Sequence, residues 1–161
     1  MKRVVQLILF IILFTSCQKE SDLTLVDEVF WVRTQGADMP IHLHGDLTNE
    51  VILLIVHGGP GGNGLEYRAG KYTVPLEEKY AVAYWDQRGQ GMSHGKYDKN
   101  EITVDKMVSD LEAVIKVLNI KYSKHKIVVF GHSWGGTLTA KYMMSGKVHK
   151  SVSAWIESNG A

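Results

Sequence analysis

The sequence predicts an α/β protein in which helices pack on a mostly parallel β-sheet. Val51–Val56 is a run of six apolar residues, as expected for a central strand that is covered on both faces. Apolar residues recur at helical spacing from Val104 to Leu118, before another apolar run at 126–130. Buried strands that alternate with amphipathic helices are typical of a layered α/β sheet.

A β-hairpin is predicted at the start of this domain. Segments 28–33 and 40–44 are rich in β-branched and aromatic residues, and they flank a turn sequence at 35–38. Ala81–Trp85 has the same apolar character as Val51–Val56 and is predicted to be a further buried strand. These segments supply the first four strands of the predicted sheet.

Two helices and a last strand are predicted in the second half of the chain. Thr103 is suited to cap a helix over about 103–118, because its hydroxyl can accept from a free N–H of the first turn. A second helix is predicted at 137–145 and a last strand at 151–157. The sheet then has about six strands.

Composition and charge exclude several classes of protein. The chain carries 18 Lys and Arg against 17 Asp and Glu, so a net charge of +1 gives no electrostatic support to nucleic-acid binding. The single cysteine, Cys17, excludes an internal disulfide and a cysteine-based zinc site. We therefore expect no nucleic-acid partner, no metal and no cofactor, and the sequence leaves the oligomeric state open.

Residues 1–17 are interpreted as an export signal. Lys2 and Arg3 precede an apolar run over 4–14, and about eleven residues are too few to span a bilayer, which needs roughly twenty. Small residues then lead to Cys17. The segment resembles a bacterial lipoprotein signal peptide, in which Cys17 would become the lipidated first residue of the mature chain.

The remaining domain boundaries follow from this interpretation. Residues 18–25 are mostly polar and are predicted to be a tether, and residues 26–161 form the domain. We expect an exported protein that a lipid holds at a membrane, on the periplasmic or cell-surface side. Ordinary signal cleavage and a buried apolar N-terminus are the alternatives.

The strand at 126–130 leads into the sequence Gly-His-Ser-Trp-Gly, which fits a G-x-S-x-G nucleophile elbow. Such a turn strains its central residue, here Ser133, and tolerates only very small side chains at Gly131 and Gly135. It also leaves the N–H of Trp134 at a helix start, where it can stabilise an oxyanion. The alternative is a glycine-rich turn with an ordinary serine.

A glycine-rich loop follows the central strand, at 57–64. If Ser133 is a nucleophile, the N–H of Gly59 is the best second oxyanion donor. The loop also fits the dinucleotide fingerprint G-x-G-x-x-G, with Asp86 at the end of the next strand. Pro60 inside the tight turn and the predicted export count against that alternative.

Three motifs, at 57–62, 86–93 and 131–136, together resemble the α/β-hydrolase fold and, within it, the proline iminopeptidase group of serine peptidases. The resemblance covers about residues 26–157. It implies that Ser133 is acylated, that Gly59 and Trp134 form the oxyanion hole, and that the turn at 86–93 borders the pocket. The implied substrates are peptides with a free N-terminus, cleaved after a small first residue such as proline.

The catalytic acid and base of that family are predicted to be absent from this chain. In the family an Asp and then a His follow the nucleophile, whereas no Asp follows Ser133 here. Glu157 is interpreted as a strand-end carboxylate and His149 as part of a solvated helix end. We therefore interpret the chain as an N-terminal half, truncated after about the sixth strand and without substantial peptidase activity alone.

The other histidines receive structural interpretations. His57 is expected to brace the glycine-rich loop through backbone hydrogen bonds, and His132 to serve packing. His42 and His44 share one face of a strand and are predicted to lie on the hairpin surface rather than to bind a metal. Two functional alternatives stay open: an esterase or lipase of the same fold, and a non-catalytic surface lipoprotein.

Overall fold

The computed structural model describes residues 25–69, 71, 73–146 and 151–160. The predicted signal peptide, Cys17, His149 and all but the last residue of the tether lie outside the described residues. The strands are β1 (Leu25–Thr34), β2 (Ala37–Asp46), β3 (Val51–Val56), β4 (Ala81–Trp85), β5 (His94–Gly95), β6 (Lys126–His132) and β7 (Ala154–Ser158). The helices are α1 (Val74–Glu77), α2 (Val104–Lys121) and α3 (Trp134–Met144), and Gly64–Arg68 and Lys99–Glu101 form short 3-10 helices.

One mixed sheet organises the described part of the chain, in the order β1-β2-β4-β3-β6-β7, with β5 paired to β2. β2 pairs antiparallel with β1 and with β4, whereas the pairs β4-β3, β3-β6 and β6-β7 are all parallel. The predicted hairpin, the central position of Val51–Val56 and the α/β class are confirmed. Because β3, β4 and β6 run the same way, the loops that follow them meet at one edge of the sheet.

The main core lies between the sheet and the two long helices. Ile52 and Leu54 of β3 are fully buried in it, together with Leu111 and Leu118 of α2 and Leu138 of α3. A smaller cluster on the opposite face joins the sheet to the 3-10 helix Gly64–Arg68. Helical segments therefore pack on both faces, although both long helices lie on the same face. No helix in the described ranges is long and apolar enough to span a membrane.

Several predicted boundaries are wrong by a few residues, since the strands predicted at 28–33, 40–44 and 126–130 are all longer in the structure. The predicted helix at 137–145 begins at Trp134, because the elbow passes into helical backbone directly after Ser133. The last strand is Ala154–Ser158 rather than 151–157, and α2 continues to Lys121. The predicted N-terminal cap of α2 is confirmed: the Thr103 hydroxyl accepts from the N–H of Lys106 at 3.3 Å.

The predicted surface position of His42 and His44 is also wrong, since each side chain is only 7% exposed. The two residues do share a face, but that face carries the second cluster. His44 lies beside Tyr84, with ring centroids 6.2 Å apart, and borders a cavity with Arg68 and Glu77. Arg68 of the 3-10 helix and Glu77 of α1 therefore help to cover a face of β2 that the sequence pattern predicts to be exposed.

Candidate active site

Ser133 lies at the sharp turn between β6 and α3. Its backbone has φ 52° and ψ −122°, in the positive-φ region that non-glycine residues rarely adopt. Its N–H donates to the carbonyl of Ser158 at 2.9 Å, and its own carbonyl accepts from Gly136 at 2.8 Å and Thr137 at 3.2 Å. The strained turn is thus held from both sides, by the end of β7 and by the first turn of α3.

The two glycines of the elbow occupy positions without room for a side chain. A Cβ on Gly135 would collide with the carbonyl oxygen of Val56 and lie 2.7 Å from that of His57. A Cβ on Gly131 would collide with the Thr139 hydroxyl and lie 2.6 Å from the carbonyl oxygen of Gly135. The requirement for tiny residues inferred from the G-x-S-x-G motif is confirmed, and the reason is the close packing of α3 on the ends of β3 and β6.

The glycine-rich loop after β3 passes directly beside Ser133. A Cβ on Gly58 would lie 3.2 Å from the Cβ of Ser133, so the loop backbone and the serine are in near contact. Gly59 has φ 127°, which strongly favours glycine, and the next N–H in the loop, that of Gly61, donates to Gln90 at 2.7 Å. The N–H of Trp134 is the first of α3, and such a group has no acceptor within its own helix. The residues predicted as an oxyanion hole thus lie on the two segments that meet at Ser133.

The turn at 86–93 is organised around the buried carboxylate of Asp86. One oxygen accepts from the N–H of Gly64 at 2.8 Å and the other from the N–H of Met92 at 2.7 Å. Asp86 is 1% exposed. Both carboxylate oxygens are occupied within the fold, which argues against the dinucleotide alternative, where this acid would face a ribose.

His57 braces the glycine-rich loop as predicted. Its Nδ1 donates to the carbonyl of Gly58 at 2.7 Å, and its Nε2 faces the N–H of Gln87 at 3.4 Å. The Gln87 amide donates to the carbonyl of His57 at 2.8 Å and accepts from the Trp134 indole at 3.1 Å. Burial lowers the pKa of His57, although the Gly58 carbonyl and Asp86 act in the opposite direction. The ring is therefore held in its neutral form.

We expect the protein to lose stability when the pH falls below about 6.5, the ordinary pKa of histidine. Because the folded state keeps His57 neutral, the unfolded chain binds more protons in this range, and acid favours unfolding. Burial also lowers the pKa of His44, so this residue should add to the loss of stability in acid. Urea unfolding midpoints at about pH 7.5 and about pH 5.5 measure the effect, which His57→Gln should reduce. A midpoint that does not fall on acidification would contradict this expectation.

A contact that the sequence did not reveal lies beside Ser133. The Tyr67 hydroxyl accepts from the N–H of Gly58 at 2.9 Å and lies 2.6 Å from Nδ1 of His132. The two rings meet edge to face, with centroids 5.6 Å apart. His132 thus makes a specific polar contact in addition to the packing role expected for it.

Of the two candidates that follow Ser133 in the chain, Glu157 lies in β7 and His149 falls outside the described residues. Glu157 accepts a short hydrogen bond from the N–H of Gly160, which fits the interpretation as a strand-end carboxylate. Within the described ranges, no group of three His, Cys, Asp or Glu side chains is placed to hold a metal ion.

A strained serine between strand and helix, with a glycine-rich loop at the end of the neighbouring parallel strand, defines an α/β-hydrolase. A family model described as "Serine aminopeptidase, S33" matches residues 50–161. The chain belongs to this family of hydrolases.

Individual relatives include both peptidases and lipases. A proline iminopeptidase of Saccharolobus solfataricus is 34% identical over 96 residues, which cover 57% of this chain and 28% of the relative. The lysophosphatidylserine lipase of Mus musculus is 28% identical over 123 residues, which cover 73% of this chain and 30% of the relative. The chain thus spans less than a third of the length of these curated relatives.

Solved structures share the fold. The proline iminopeptidase-related protein of Thermus thermophilus matches with a TM-score of 0.66 and 25% identity, over 82% of this chain and 44% of that one. An esterase from Exiguobacterium antarcticum matches with a TM-score of 0.63 and 24% identity, over 84% of this chain and 46% of that one. The resemblance to an α/β-hydrolase, and to its proline iminopeptidase group, is therefore confirmed.

Proposed function

We propose that Ser133 is the nucleophile of a serine hydrolase and that the N–H groups of Gly59 and Trp134 form its oxyanion hole. The observation that carries the proposal is the positive φ of Ser133, 52°, at a turn in contact with the glycine-rich loop. Strain of this kind is concentrated at functional sites, where it aims a side chain out of the sheet. A turn whose serine has no catalytic role would not need this backbone strain.

The proposed reaction is acyl transfer. The Ser133 hydroxyl oxygen bonds to the carbonyl carbon of an amide or ester, its proton passes to a base, and the carbonyl electron pair moves to the oxygen. The two N–H groups stabilise that oxyanion. Collapse of the intermediate breaks the bond to the amine or alcohol, which leaves with the proton, and water then hydrolyses the acyl-enzyme. We place the histidine base and its acid in the portion of the relatives' length that this chain does not span.

We propose peptides with a free N-terminus and a small first residue, such as proline, as the substrates. The relatives named proline iminopeptidase support this choice, and so do the three motifs at 57–62, 86–93 and 131–136. A carboxylic ester is the second candidate, because the match to a lysophosphatidylserine lipase covers more of this chain than the match to the iminopeptidase.

The first test is the intact mass of the protein as its source makes it, before and after treatment with a fluorophosphonate. We expect one adduct, located on Ser133, because the oxygen of an activated serine displaces fluoride from the probe and becomes phosphonylated. Hydrolysis of Pro-7-amido-4-methylcoumarin and of p-nitrophenyl acetate then separates the two substrate classes. An adduct on another serine, or none at all, would contradict the proposal.

We also propose that lipid on Cys17 holds the exported protein at a membrane. Support comes from the order of charged, apolar and small residues over 1–17, which is that of a bacterial lipoprotein signal. The same intact mass reports the lipid as an increment on a chain that begins at Cys17.

A further inference from the structure

We propose that Tyr67 is a positioning residue for the oxyanion hole, through hydrogen bonds of its hydroxyl to Gly58 and His132. This inference rests on the proposed function. Gly58 immediately precedes the proposed oxyanion donor Gly59, and His132 immediately precedes the proposed nucleophile Ser133. One hydroxyl therefore joins the two segments whose spacing the reaction depends on, at 2.9 Å and 2.6 Å.

The direction of the bond to Gly58 follows from its donor. The N–H of Gly58 can only donate, so the Tyr67 oxygen accepts from it. At Nδ1 of His132 either group can donate, according to which ring nitrogen carries the hydrogen. In either arrangement the Tyr67 hydroxyl bonds to both segments at once.

Hydrogen bonds on both sides of Gly58 bear on where the N–H of Gly59 points. The peptide unit between these two residues is planar and trans, so its carbonyl and the N–H of Gly59 point in opposite directions. His57 holds that carbonyl at 2.7 Å, which directs the Gly59 N–H away from His57, and Tyr67 holds the N–H of Gly58 on the preceding peptide unit. The bond from Gly61 to Gln90 holds the far side of the loop, whose glycines themselves offer little resistance to rotation.

Tyr67 is itself held in place. It lies in the 3-10 helix Gly64–Arg68, whose first N–H, that of Gly64, donates to the buried carboxylate of Asp86. A Cβ on Gly64 would lie 2.9 Å from the backbone N of Trp85, so this helix packs closely on the end of β4. The Asn63 side chain caps the helix by accepting from Glu66 at 3.0 Å. The Tyr67 hydroxyl is therefore carried by a 3-10 helix that is itself fixed in place.

The test is Tyr67→Phe in the protein as its source makes it, because phenylalanine keeps the ring and removes only the hydroxyl. We expect kcat on the preferred of the two substrates above to fall about tenfold with KM changed less than about twofold. Loss of a whole oxyanion donor lowers kcat by about a hundredfold or more, and misalignment of a donor should lower kcat by less than its complete loss. Hydrogen exchange at the N–H of Gly58 should also accelerate.

Tyr84→Phe is the matched control. Tyr84 belongs to the same cluster as Tyr67 but lies on β4, two strands away from β6, and its hydroxyl donates to Glu77 at 2.7 Å, so its loss reports the general effect of a missing tyrosine hydroxyl. Equal kcat in the two variants, or a change confined to KM, would overturn the role of Tyr67. Hydrolysis that survives Ser133→Ala would instead overturn the proposed function, and with it this inference.

Discussion

Replacement of Ser133 by alanine is expected to lower kcat by about six orders of magnitude, as for loss of the nucleophile in serine hydrolases generally. The proposed oxyanion donors remain, but no oxygen is left to form the proposed acyl-enzyme. The backbone should tolerate the change, because the hydrogen bonds that hold the turn use the N–H and carbonyl of residue 133. Hydrolysis of the preferred substrate by the protein as its source makes it measures the effect.

Ser109→Ala provides the matched control for this variant. The Ser109 hydroxyl donates to the backbone carbonyl of Asp105 within α2, and the residue is half-buried beside a groove between α2 and α3. We expect it to keep wild-type kcat and fluorophosphonate labelling. If Ser133→Ala kept more than about a hundredth of the activity, the nucleophile would have to be sought elsewhere.

Asp110→Asn is expected to destabilise the protein by about 3 to 5 kcal/mol, because it leaves the buried guanidinium of Arg88 without its counter-charge. The pair is bidentate, with distances of 2.7 Å and 2.6 Å, and the two side chains are 1% and 0% exposed. Arg88 also donates to the carbonyls of Gln35 and Thr34, so the pair joins α2 to the β1-β2 turn. The midpoint of guanidinium unfolding measures the loss.

Asp38→Asn makes the same chemical change in an exposed ion pair. Its partner Arg33 is 75% exposed, and such pairs contribute about 1 kcal/mol or less. The double variant Arg88→Met with Asp110→Leu should be less destabilised than Asp110→Asn alone, because it removes both buried charges. If Asp110→Asn and Asp38→Asn lowered stability equally, the buried pair would have no special role.

The sequence predicts those parts of the structure in which local pattern determines geometry. The apolar run Val51–Val56 is central in the sheet because both of its faces must be covered. The glycines at 131 and 135 are required by one tight turn, so their spacing, together with the buried strand before them and the helix after them, indicates the elbow. Ser133, Gly59 and Trp134 could therefore be chosen as site residues before the fold was known, and their catalytic roles stay predictions.

Contacts between distant segments were not predictable in this way. Tyr67 and His132 are 65 positions apart, and the short 3-10 helix around Tyr67 has too few residues to show a periodic pattern. The burial of His44 depends on the same segment folding back over β2. β5 was missed because it has only two residues. In each case the missing information is which surface a short, irregular segment covers.

The position of β3 in the sheet has a consequence for the order in which the chain can assemble. In the sheet β3 lies between β4 and β6, and both of these strands follow it in the chain. By contrast, β4, β6 and β7 each pair with a strand that is synthesised before them. At about 5 to 20 residues per second, the roughly 25 residues between β3 and β4 take between about one and five seconds to synthesise. During that interval the most apolar strand has no strand partner. Among the strands of the sheet, Val51–Val56 is thus the one most prone to aggregation in the nascent chain, and we expect binding of a chaperone there to protect the segment that later positions the glycine-rich loop.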